Sequence, residues 1–164
     1  MAVSTVPHMP RDGTLAWLNS AGATVLTAVY ENGDVSGEGS RRADRQVIRD
    51  RGTIVAVRKG DDPVVTLSCT MHLLEFTNAS AATFCDVAEF TGSQSAASKT
   101  TGIKGDYNFL TCKFTSAKQA LGDSADAVIQ YADCITNWSW GEGPPGTINV
   151  TIECYGTITR TGQA

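Results

Sequence analysis

The sequence predicts a mainly β chain: an antiparallel β-sandwich or partly closed barrel with one flanking α-helix and one long inter-strand loop. Three observations carry this reading. Polar and apolar residues alternate with period two from Val64 to Leu73, from Leu110 to Phe114 and from Thr147 to Thr159, as strands do when one face meets a core and the other meets water. Clusters of Gly, Pro, Asn and Asp punctuate these runs. Only the stretch 77–91 adopts helical spacing.

Taken in order, residues 1–13 lie outside the predicted core as an N-terminal arm. Strands follow at 14–19 and 24–30, joined by Asn19-Ser20-Ala21-Gly22, where Gly22 can take a positive φ. Residues 31–52 then form some twenty residues without strand alternation, longer than compact domains tolerate without a functional reason. Strands at 53–58 and 64–73 flank Asp61-Asp62-Pro63, a turn that should make them antiparallel neighbours. The helix at 77–91 has Asn78 as its N-cap and Gly92 as its stop, with Ala81, Phe84, Cys85 and Ala88 on the stripe that packs against a sheet. A polar loop covers 93–105, and strands at 110–114, 126–138 and 147–159 complete the chain, the last two linked by Gly-Glu-Gly-Pro-Pro-Gly at 141–146. No internal repeat or linker divides the sequence, so 1–164 reads as one domain.

Composition narrows the function classes. Of 164 residues, 41% are hydrophobic and 18% charged, a globular balance. No apolar run reaches the roughly 18–20 residues of a membrane helix, which predicts no membrane anchor. The opening segment lacks the apolar centre of a secretory signal, which points to maturation in a reducing cytoplasm. Five scattered cysteines, Cys69, Cys85, Cys112, Cys134 and Cys154, form no CxxC pair and read as small buried hydrophobes. Three Asn-X-Ser/Thr sequons begin at Asn78, Asn137 and Asn149; without a signal they are chance products of a Ser/Thr-rich chain. Seven basic and seven acidic side chains balance across residues 31–62, so the net charge of −4 belongs to the body, opposite to a duplex-binding protein.

Catalytic chemistry finds little to use. The only histidines are His8 and His72, and Cys69 and His72, three apart on one strand, face opposite sides of the sheet. Asp61-Asp62 is a metal candidate but reads better as a solvated turn. The glycines of 33–39 lack the Lys-Ser/Thr of a phosphate loop. Trp138 and Trp140 share one side of a strand and would suit either sugar stacking or a core or subunit contact. No enzyme, metal or cofactor follows. The arginines of 41–51 alternate with Asp and have no aromatic partner between Tyr30 and Phe76, which favours protein contacts over nucleic acid.

The stretches AVYENGDVSGEG (28–39), VIRDRGTIVAVRKGDDPVVTLSCTMHLLEF (47–76) and ALGDSADAVIQYADCITNWSWGEGPPGTINVTIECYGTI (120–158) resemble the tail tube (major tail) proteins of long-tailed bacteriophages. The likeness covers residues 14–92 and 119–158 and rests on the order of strands, turns and helix. It implies a virion protein, made in the bacterial host cytoplasm, that self-assembles into hexameric rings stacked as a hollow tube for DNA. Tape measure, tail terminator and baseplate-type proteins would be its partners. In that setting the loop 31–52 reaches a neighbouring subunit through Arg41, Arg42, Asp44, Arg45, Arg49, Asp50 and Arg51. The short polar faces Thr66, Ser68, Thr70, Thr147, Asn149, Thr151 and Glu153 are candidates for the bore, since a DNA conduit should offer phosphates few cations. Lys113 does not fit such a face. The tube of a contractile injection or secretion system, and a monomeric carbohydrate-binding module built on Trp138 and Trp140, remain as alternatives.

Overall fold

The computed structural model describes residues 13–30, 34–40, 43–72, 75–76, 78, 81–92, 107–117, 125–142 and 146–162. The expected N-terminal arm, apart from Gly13, and the polar loop at 93–105 lie outside them.

Alternation in the sequence becomes a two-faced ladder. Strand β6 (Val65–His72) pairs antiparallel with β9 (Thr147–Cys154), placing Val65 opposite Cys154, Leu67 opposite Ile152, Cys69 opposite Val150 and Met71 opposite Ile148. All eight of these side chains are buried. The intervening residues face outward. Strands β1 (Gly13–Leu18), β2 (Thr24–Thr27), β3 (Val35–Gly37), β7 (Leu110–Ser116), β8 (Ala127–Gly141) and β10 (Ile158–Thr161) complete an antiparallel sheet of order β2-β1-β7-β8-β9-β6-β3, with β10 also on β8. The ladder is not closed into a barrel. Past β2, the carbonyl of Val29 accepts the amide of His72 at 2.8 Å and brings the chain back to β6.

Strand β8 is the member shared by both halves. Its first half pairs with β7 and β10, and its second half with β9. Between them Asp133 sits at φ 51 and the register with β7 shifts, a bulge of the kind that lets one strand turn from one layer to the next. The segment 155–157 wraps this bulge: Gly156 N–H donates to the Ala132 carbonyl at 3.1 Å and Tyr155 N–H to the Asp133 carbonyl at 2.9 Å. A Cβ on Gly156 would lie 2.7 Å from the Ala132 oxygen, so only glycine fits. The predicted single strand 147–159 is therefore two strands, parted where the chain goes round the bulge.

The core between these faces centres on Trp17, whose indole N–H donates to Thr136 Oγ1 at 3.0 Å. Phe84 meets Trp17 edge-on at 5.8 Å and Trp138 at 6.0 Å. Phe84 belongs to α1 (Phe84–Glu89), which is shorter than the sequence predicts. Thr83, not Asn78, is its N-cap, in a reciprocal capping box with Asp86. Asn78 Oδ1 instead accepts from Ala81 N–H in the turn ahead of the helix. Phe90, in the left-handed region at φ 56, ends the helix two residues before Gly92. Phe84 and Val87 are buried, Ala88 packs at the margin of the core, and Ala81 is exposed, so the packing stripe is rotated from the predicted one.

The strands 53–58 and 64–73 are not neighbours. Strand β5 (Thr53–Lys59) pairs with β4 (Arg45–Asp50), inside the predicted loop, and the two form a separate hairpin. Asp61-Asp62-Pro63 thus links this hairpin to β6 instead of turning one sheet strand into the next. Strand β3 also lies within the predicted loop and pairs with β6.

Candidate assembly surfaces

Two surfaces stand out, one a sheet face and the other the hairpin. Outward residues of four adjacent strands lie in rows across the sheet. One row runs Ser36, Ser68, Thr151, Asn137, and the next Thr70, Asn149, Ser139. A third joins Thr66, Glu153 and Ile135, and a fourth His72, Thr147 and Gly141. All seven residues proposed for a bore therefore share one face. Thr66, Ser68, Asn149 and Thr151 are exposed, while Thr70, Thr147 and Glu153 are half-buried by their neighbours. Thr70 donates to Asn149 at 3.3 Å across the strands, and Glu153 accepts the Tyr155 hydroxyl at 2.6 Å. That bond to a carboxylate pushes the Tyr155 phenol upward. None of the four rows contains Lys or Arg. Lys113 lies on β7, opposite Ala16 and Gln130, beside the other half of the sheet.

The hairpin differs in every respect. Its paired residues are almost all exposed, including the apolar Val47, Ile48, Ile54, Val55 and Val57, with Val55 64% accessible. Arg51 and Gly52 form its tip with φ 48 and 87, the signature of a type I′ turn that matches the twist of the two strands. At its base, Asp44 N–H donates to the Asp61 carbonyl at 2.9 Å, and the Asp44 carbonyl accepts Gly60 N–H. Lys59 and Asp62 form an exposed ion pair at 3.0 Å. The proposed contact residues Asp44, Arg45, Arg49, Asp50 and Arg51 thus run from base to tip of one projecting ribbon, whereas Arg41 and Arg42 lie outside the described residues. A loop of mixed charge was expected. The apolar side chains of the ribbon were missed because β-branched runs such as Thr53-Ile54-Val55-Ala56-Val57 read as ordinary core strand.

Catalytic candidates stay apart. Cys69 is buried on the inner face and burial raises its thiol to about 12, with Asp34 adding to the effect; His72 is on the outer face. Among the described residues no group of three or more His, Cys, Asp or Glu is placed to hold a metal, and no helix is long and apolar enough to cross a membrane. Trp138 is packed between Phe84 and Phe76, while Trp140 is 65% accessible, so the two indoles do not offer one joint platform.

The chain superposes on solved structures over nearly its whole length. One neighbour comes from the sheath–tube complex of an extracellular contractile injection system (PVC) in its extended state, with a TM-score of 0.61, 7% identity, and 98% of this chain and 99% of that one covered. A second comes from the tube-terminating cap of the anti-feeding prophage, at 0.61 and 9% identity, covering 99% and 95%. The fold is tail-tube-like. A third neighbour, from the baseplate of the anti-feeding prophage, gives 0.58 and 11% identity over 97% and 98%. No protein-family model and no curated protein matches the sequence. At these identities the likeness is one of architecture.

Proposed function

We propose that this chain is the tube subunit of a phage tail or of a tail-derived injection device, and that it has no catalytic role. Copies assemble side by side into rings, six to a ring as the resemblance implies, and the rings stack into a hollow tube. The observation that carries this reading is the pairing of two unlike surfaces on one small fold. One is a sheet face four strands wide without Lys or Arg, and the other is an exposed apolar ribbon with arginines. A solitary soluble protein gains nothing from the second surface, which is an aggregation hazard unless a partner covers it. The first suits a bore that phosphate chains pass without clinging.

Within this reading Thr66, Ser68, Thr70, Thr147, Asn149, Thr151 and Glu153 line the bore, and Arg45, Arg49, Asp50 and Arg51 contact a neighbouring subunit. Tape measure, terminator and baseplate-type proteins meet the tube at its ends, in a virion tail made in the host cytoplasm. The contractile injection device is a specific second form of the same reading, since the three neighbours come from such particles. Electron microscopy of the purified chain at rising concentration tests the assembly, with rings or tubes expected. Globular monomers at every concentration would refute it. Arg49→Glu and Arg51→Glu should hinder polymerisation while leaving the monomer fold intact. Ser68→Lys with Thr151→Lys should leave assembly intact and make the tube retain DNA at low salt; tubes of the variant that release DNA as the parent does would place the bore on another face.

A further inference from the structure

The ribbon needs a receiving surface, and the opposite end of the sheet supplies one. The hairpin leaves the chain next to Val65, where β6 begins opposite the end of β9 at Cys154. At the far end, six residues along β6 or about 20 Å away, Met71, Ile148 and Trp140 are register partners. There the core runs out into solvent. Phe76 is 50% accessible and meets Trp138 at a tilt of 44°, ring centres 6.5 Å apart. Trp140, two residues further on the same side of β8, is 65% accessible.

Charge points the same way. The paired segment Arg45–Lys59 holds four arginines, one lysine and one aspartate, Asp50, for a net +4. Subtracting these from 13 basic and 17 acidic residues leaves eight and sixteen, so the rest of the chain carries −8. Glu75 adjoins Phe76, Glu142 follows Trp140 by two positions, and neither the stretch 60–98 nor 119–159 contains a Lys or Arg.

We infer that the Trp140–Phe76 end of one subunit receives the β4–β5 hairpin of a second copy, with apolar ribbon residues on the aromatic pair and ribbon arginines facing Glu75 and Glu142. The inference rests on the tube reading and specifies its longitudinal contact. Because the hairpin leaves the chain at one end of the sheet and the receiver lies at the other, the contact is heterologous and repeats head to tail without using itself up. Exposed aromatics rimmed by charge are also the composition of an interface hot spot.

The test places a photoreactive phenylalanine analogue at Val55 of the full chain and maps cross-links in assembled material by mass spectrometry. Cross-links to the segments holding Phe76 or Trp140 are expected. Trp140→Ser should raise the concentration needed for assembly at least tenfold, the order expected for an aromatic hot spot, with circular dichroism and melting temperature of the monomer unchanged; Phe76→Ser should do the same while lowering the melting temperature, since Phe76 also packs on Trp138. Glu75→Arg with Glu142→Arg should weaken assembly, and Arg49→Glu with Arg51→Glu should restore part of it. Tubes that form normally from the Trp140→Ser chain, or tubes whose cross-links lie elsewhere, overturn this contact and leave the tube reading standing. A parent chain that never assembles overturns both.

Discussion

Replacing Thr136 by Val isolates one bond in the centre of the core. Thr136 is 8% accessible and Trp17 fully buried, and the indole N–H donates to the Thr136 hydroxyl at 3.0 Å. Val has nearly the same shape as Thr, so little space is gained or lost, but the indole N–H is left in an apolar setting without an acceptor. Leaving a buried donor unsatisfied costs about 1–3 kcal/mol, and exchanging hydroxyl for methyl returns under about 1 kcal/mol. The net expectation is a loss of about 1–2 kcal/mol, or about 2–8 °C in melting temperature for a domain of this size. Trp17→Phe removes the donor, at a separate cost of about 2 kcal/mol in lost burial and cavity. In the Phe background Thr136→Val should therefore cost almost nothing, and the double-mutant cycle should show a coupling of about 1–2 kcal/mol. Urea unfolding of the monomer, followed by far-ultraviolet circular dichroism, measures all four corners. An additive cycle, or a Thr136→Val variant within about 0.3 kcal/mol of the parent, would refute the claim that this bond ties β1 to β8 across the core.

Three other outcomes follow from the packing of the chain. Gly156→Ala drives a methyl group against the Ala132 carbonyl and the Asp133 carboxylate at 2.7 Å, so its melting temperature should fall by several degrees; an unchanged melt would mean the bulge is not tightly wrapped. Alkylation at pH 8 should label half-buried Cys85 first in the native chain and the buried Cys69, Cys112, Cys134 and Cys154 only on unfolding. For Cys69, raised to about 12, about one thiol in ten thousand is ionised at that pH; early labelling of Cys69 or Cys134 by mass spectrometry would contradict their burial. The Thr83 backbone and hydroxyl bonds hold the Asp86 carboxyl below its ordinary value. Its support of the α1 cap is present above the unfolded carboxyl range and disappears as pH falls through the lower folded value. Amide exchange at Thr83 should accelerate there, and Asp86→Asn should abolish that acid step; a step that persists in the variant would assign it to another group.

The strands that bury one face were legible because water and core write opposite demands on alternate residues. The runs containing Val65–His72, Leu110–Ser116 and Thr147–Cys154 fall where alternation places them, and the polar rows later seen on one face are the outward half of the same pattern. The hairpin was not legible, because both sides of β4 and β5 meet solvent and no burial contrast exists to read. Gln46-Val47-Ile48 between charges therefore looked like loop, and β5 looked like a partner for β6. The helix start failed for a different reason. Asn78 and Thr83 both make N-terminal side-chain bonds, and only the Thr83–Asp86 reciprocity, a matter of three-dimensional fit, selects between them. Trp140 was visible as a tryptophan but not as an exposed one, since its position two residues beyond Trp138 gives no sign that the core has already ended.

The hairpin pairs only with itself within the described strands and is fastened through Asp44, Gly60 and Asp61, so its length can change without disturbing the sheet. Four residues added near its tip, two on each strand, would keep every existing side chain on its own side and extend the ribbon by about 7 Å. No core residue would notice. The reach and grip of the ribbon can thus change while the sheet itself stays constant.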